Sequence, residues 1–322
     1  MNMHSEIAEK IVATYETHID GLYGYPRFHW LVRLYRISGD KKYLKLIYDA
    51  FLVLKPKIIR NLGSLVSPGT VLQQSEKILL NYKTKNIRKF KRLEFYRKNM
   101  GVPVYIETLT YLFTVKSLGL ETSPDLANLF NSGLDYYKKN DTSPVLLSPE
   151  FIRVYPSGAA NLIYILDYLG ISDNTKELLN VSQKYWESVT PESRDIWLDK
   201  IYALTHIVIA ATGYYQKFVR RSDFEWIFDY FENNIDEIMD KCSTDAITEV
   251  GLCFKLIGEF DNRILGKIKD YLVLSFNEKL GFIAKKIDST IASAEHRNIL
   301  AVMVLRDFQK LYEGPYLRDY IV

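Results

Sequence analysis

The chain has 322 residues, 48% hydrophobic and 25% charged, with 42 Lys and Arg against 39 Asp and Glu. That composition fits one large globular domain or two smaller ones, and it excludes a disordered chain or a small disulfide-stapled scaffold. The net charge of +3 is spread over both signs, so no nucleic acid partner is expected. No apolar run reaches the about 18 residues of a membrane span, so no membrane association is expected either. Cys242 and Cys253 are the only cysteines, too few for a disulfide framework, and residues 1–20 carry charges throughout with no apolar signal core. Together these features predict a soluble, cytoplasmic protein.

Along the chain, a recurring unit predicts an all-α fold. Each unit has an apolar helix, a glycine break and a second helix. The breaks are Gly39 in RLYRISGDKKY, Gly119 in TVKSLGLET, Gly170 in LDYLGISD, Gly213 in IAATGYYQ and Gly258 in FKLIGEFD. HRNILAVMVLRDFQKLYEG supplies a sixth first helix without an internal glycine. A glycine after an apolar helical run suits a left-handed C-cap. The last three intervals are 51, 43 and 45 residues, the length of a helical hairpin with its loops. Segments before the glycines, such as GAANLIYILDYLG, are almost uniformly apolar and read as inner helices. Segments after them, such as DLANLFNSGLDYY and DFEWIFDYFENNI, read as amphipathic outer helices. About six hairpins in a single domain, 1–322, point to an (α/α) toroid.

Gly39 and Gly119 are 80 residues apart, which places an insertion at 55–101, between the first and second hairpins. It carries a basic run, Lys83, Lys85, Arg88, Lys89, Lys91, Arg92, Arg97 and Lys98, interleaved with aromatic residues. The run reads either as a solvated face or as an approach for an anionic ligand.

In a ring of hairpins the N-terminal ends of the inner helices converge, and polar residues there would form a pocket. In chain order these are His29, Glu107, Asn161, Tyr202 with His206, Asp245 with Glu249, and Glu295, His296 and Arg297. Polar groups in such apolar helices need partners. His206, Glu249, His296 and Asp245 are the candidate catalytic residues. His29, Glu107, Asn161, Tyr202 and Arg297 are the candidate substrate-binding residues. Each has a structural reading as well. His29 could be a hydrogen-bonded core histidine, Asp245 or Thr244 a helix N-cap, and the Glu295–Arg297 triplet a first-turn cap with a salt bridge.

Two chemistries and one non-catalytic role could use this set, and a nucleophilic Ser or Cys mechanism has the least support. A metal-free acid and base could act on a polar small molecule or saccharide, as a hydrolase or lyase. A zinc site could take His206, His296 and a third ligand among Asp245, Glu249 and Cys253, although no HExxH or CxxC motif occurs. A non-catalytic ligand-binding or scaffold role would use the same surface. Walker, GxGxxG, GxSxG and EF-hand patterns are absent.

The strings DKIYALTHIVIAATGYY, TEVGLCFKLIG and AEHRNILAVMVL resemble blocks of a bacterial protein family of unknown function, over Asp199 to Tyr316. The resemblance implies the helical fold and a bacterial source, and it supplies no substrate. GDKKY after RLYRIS is similar to helical-hairpin units of α/α-toroid carbohydrate enzymes, an analogy of fold alone. Counting back from the capping glycines puts His206 and Glu249 at similar depth, so His206 and His296 are expected to face one cavity with Glu249 or Asp245.

Overall fold

The computed structural model of the chain describes residues 3–285 and 289–320; the first two residues of the charged N-terminal stretch lie outside them. The protein is all-α, with seventeen helices and no strand among the described residues. In chain order they are α1 (Met3–Thr17), α2 (Tyr25–Ser38), α3 (Lys42–Leu62), α4 (Pro68–Asn81), α5 (Ile87–Lys98) and α6 (Val102–Ser117). Then come α7 (Ala127–Lys139), α8 (Ser143–Leu146), α9 (Pro149–Val154), α10 (Pro156–Leu169), α11 (Thr175–Ser188) and α12 (Arg194–Ala211). The last five are α13 (Glu225–Asn233), α14 (Ile235–Lys241), α15 (Thr244–Leu256), α16 (Arg263–Ser275) and α17 (Ile291–Leu305). None of the described helices is long and apolar enough to cross a membrane.

The glycines follow the ends of α2, α6, α10, α12 and α15, as the sequence suggests. Gly39, Gly119, Gly170, Gly213 and Gly258 all have positive φ, between 63° and 83°. After α6, α10 and α15 the bonds have the Schellman form. Gly119 N–H reaches Lys116 O while Leu120 N–H reaches Val115 O, and Gly170 and Gly258 repeat this with their successors.

The chain packs as two compact units. Unit 1 comprises residues 1–54 and 214–315, and unit 2 comprises 55–213 and 316–322. In unit 1, α17 is the central helix and packs against α15, α1, α2 and α16. Its stretch from Ile299 to Leu305 is wholly buried, as is α15 from Ala246 to Leu256. A helix apolar on all sides is stable only when covered on all sides. α1 has no glycine terminator and does not stand out in the sequence as one of the hairpin helices. Tyr15 at its end stacks on Trp30 of α2 at 4.0 Å and donates a hydrogen bond to Ile291 O, at the start of α17.

In unit 2, α10 holds the central place and packs against α12, α6, α9 and α11. The predicted insertion forms the end of α3, then α4 and α5. α5 buries Leu93, Phe95 and Tyr96. Its basic run divides: Lys83, Lys85 and Lys89 are exposed, while Arg88 pairs with Asp199 and Arg92 lies 3.5 Å over the Tyr155 ring.

The caps differ in what surrounds them, which gives a test. A Cβ on Gly258 would meet nothing within 4 Å, whereas one on Gly39 would lie 2.4 Å from the Tyr312 ring. Gly258→Ala should therefore cost only the left-handed backbone strain, about 1–2 kcal/mol, and Gly39→Ala clearly more. Equal losses in urea unfolding would contradict the Gly39–Tyr312 packing.

Candidate functional site

Unit 1 gathers a cluster of titratable side chains from α2, α15 and α17. His29 and Glu295 are each the fifth residue of their helix. The entry of α17 is fixed by a capping box in which the Thr290 side chain accepts from Ser293 N and the Ser293 side chain accepts from Thr290 N. Capping is thus done without the Glu295–Arg297 triplet, leaving Glu295 and Arg297 buried. α15 is capped by Ser243, not by Asp245 or Thr244 as the sequence suggested, because the Ser243 hydroxyl reaches Ala246 N. Asp245 instead sits in the first turn and meets the Arg297 guanidinium at 2.9 Å.

The centre of the cluster is the contact between His29 Nδ1 and Glu295 Oε1, at 2.7 Å. Burial pushes the Glu295 carboxyl up to about 8, an effect partly opposed by Arg33. Burial also holds the His29 imidazole well below its ordinary value, helped by Arg33, His296 and Arg36. Although the two groups meet the distance criterion of an ion pair, the directions of the two shifts favour a carboxyl and a neutral imidazole sharing this hydrogen bond over an ion pair.

His296 carries the cluster outward. Its ring lies 5.5 Å from that of His29, its Nε2 is 3.7 Å from Glu249 Oε1, and its side chain is 49% exposed against 2% for Glu249. Tyr25, itself exposed, lies 5.6 Å from His29 on the other side. Cys253, one turn beyond Glu249, is buried, and burial raises its thiol well above the ordinary value, so it is no ready nucleophile.

Four neighbours escaped the sequence reading. Arg33 lies over the Tyr215 ring at 4.9 Å, and its buried Nη1 has no hydrogen-bond partner. Tyr214 and Tyr215 have φ of 58° and 72°, a conformation that tyrosine rarely adopts. Buried Arg36 ties this segment down, donating from Nη1 to Tyr214 O at 2.7 Å and from Nε to Gly314 O at 2.9 Å. The available signal was spacing: Arg33 and Arg36 follow His29 by four and seven residues, on one face of α2.

The remaining predicted residues belong to unit 2. His206 Nδ1 lies at hydrogen-bond distance from Asn161 Oδ1, 3.0 Å, and Tyr202 packs edge-on against the imidazole at 6.3 Å. Glu107 pairs with Lys57 at 3.5 Å. No three His, Cys, Asp or Glu side chains among the described residues are grouped to hold a metal ion.

The state of the central pair has a measurable consequence. Between the usual carboxylate value and about 8, the folded chain keeps a proton on Glu295 that the unfolded chain has released. Its contribution to stability is therefore lost as pH rises through that window. His29 acts in the opposite sense, being destabilising as pH falls below about 6.5. Lys255, lowered to about 7 by burial, favours folding as pH rises above 7. The Glu295 effect is thus read as a difference. From pH 6.5 to 8, wild type should lose about 2 kcal/mol relative to Glu295→Gln. Parallel profiles for the two proteins would contradict a protonated Glu295.

No curated protein and no solved structure matches the chain. The model of one family, described as "Domain of unknown function (DUF3541)", matches residues 4–321, nearly the whole chain, and the protein belongs to that family.

Proposed function

We propose that unit 1 carries a metal-free acid–base centre acting on a polar small molecule or saccharide, as a hydrolase or lyase. The observation that supports it is the His29–Glu295 contact at 2.7 Å, where burial pushes the carboxyl up to about 8 and the imidazole down. General acid catalysis needs a group that still holds its proton near neutral pH, and burial supplies one here.

The roles follow from position. His296 is exposed enough to meet a substrate, and its Nε2 lies 3.7 Å from Glu249 Oε1, which helps to hold the ring in place. Glu295, through its bond to His29, is the source of the proton returned to a leaving group. Arg33, close enough to act on both members of the pair, is a fixed positive charge beside which negative charge can develop during the reaction. A hydrolase and a lyase both need such an acid and base and differ in whether water or a carbon-bound proton meets the base.

The test is turnover of neutral and uronate-containing oligosaccharides, followed by reducing-end release for hydrolysis and by unsaturated-product absorbance for elimination. Glu295→Gln should lower kcat by roughly 10²–10⁴-fold, and wild-type activity should fall as pH rises through about 8. Undiminished turnover in Glu295→Gln would remove the acid from the scheme. Saturable binding with no turnover of any substrate would identify a binding protein instead.

A further inference from the structure

The turn between α4 and α5, in unit 2, concentrates positive charge. Between Glu76 and Glu94 the chain has no carboxylate, and it carries five lysines and two arginines. The whole chain has a net charge of only +3, so the excess is local. The two arginines are engaged within the unit, Arg88 by Asp199 and Arg92 by the Tyr155 ring. Lys77, Lys83, Lys85, Lys89 and Lys91 are exposed, and none of them forms an ion pair among the described residues. Beside them the same turn presents large apolar side chains to solvent. Leu80, in the last turn of α4, is 81% exposed, and Ile87 and Phe90, three residues apart on one face at the start of α5, are 58% and 43% exposed. Each would gain from being taken out of water.

The combination narrows the partner. A nucleic acid is held by arginine forks and by aromatic rings on which bases stack. Here both arginines are already engaged, Tyr82 packs edge-on against Tyr96 at 6.2 Å, and the aliphatic Leu80 and Ile87 would gain nothing from a phosphate backbone. An anionic bilayer surface answers both features at once. Lysines are drawn to its negative headgroups, and apolar side chains between them reach the boundary of the acyl chains. That no described helix can cross a membrane concerns spanning and not contact with the surface.

We propose that the α4–α5 turn is a peripheral docking surface for an anionic phospholipid bilayer, with its exposed lysines at the headgroup phosphates and Leu80, Ile87 and Phe90 entering the interface between them. The surface shares no residue with the acid–base cluster of unit 1 and stands whether or not that cluster is catalytic.

The test is co-sedimentation of the full chain with vesicles of phosphatidylcholine alone and of phosphatidylcholine with phosphatidylglycerol in a three-to-one ratio, with oligouridylate as the nucleic-acid control. Binding should require phosphatidylglycerol and fall as salt is raised. It should weaken by about tenfold or more when Lys83→Gln is combined with Lys85→Gln. A similar loss is expected when Leu80→Ser is combined with Ile87→Ser, a change that leaves the charge as it is. All four residues are exposed, so both double variants should fold as wild type, which their far-UV circular dichroism checks. Oligouridylate should bind more weakly than the phosphatidylglycerol vesicles. No binding to those vesicles, binding that survives either double substitution, or tighter binding of oligouridylate would each overturn the proposal.

Discussion

The hydrogen bond between His29 and Glu295 is the constraint on which the rest of unit 1 depends. Two ionisable groups meet where little water reaches, and a charge on either would carry a desolvation cost of several kcal/mol. Sharing a proton as neutral partners removes that cost and fixes their relative position. It also requires that the surrounding charges be settled elsewhere. Arg36 is bound to two backbone carbonyls, Asp245 to Arg297, and Arg33 to the face of Tyr215. The Thr290–Ser293 capping box and the Tyr15 bond to Ile291 O hold the start of α17, so that Glu295 meets His29 at hydrogen-bond distance.

Much of this fold is legible in the sequence because its helix ends carry a local physical requirement. Left-handed backbone at a C-cap favours glycine, so Gly39, Gly119, Gly170, Gly213 and Gly258 mark five helix ends independently of any tertiary contact. The uniformly apolar stretches of α10, α15 and α17 mark helices covered on all sides. α1 carries no such mark. Its role comes from the stacking of Tyr15 on Trp30, a contact between residues of different helices that no periodicity encodes.

The candidate residues separate along the same line. His29, Glu249, Glu295 and His296 could be named because polar residues stand out in apolar helices. Counting residues gives depth along a helix but not the neighbour across it. His206 stands out in the same way, and the sequence does not show that its ring is hydrogen-bonded to Asn161 across the α10–α12 contact of unit 2. Tyr215 was invisible because its importance lies in its left-handed backbone and its place under Arg33. The basic run of the insertion shows the limit of composition: exposed Lys85 and Lys89 share a helix region with Arg88 and Arg92, whose charges are engaged by Asp199 and Tyr155.

The central claim is that Glu295 is protonated and His29 neutral at pH 7. Its most direct measurement is a pH titration of the Glu295 side-chain carboxyl by ¹³C NMR, assigned with Glu295→Gln and read together with the ¹⁵N shifts of the His29 ring. The account predicts a carboxyl resonance that stays in its protonated position at pH 7 and moves with a midpoint near 8, while the His29 nitrogens keep neutral-imidazole shifts at every pH where the protein is folded. A carboxylate already ionised at pH 6, beside an imidazolium, would contradict it.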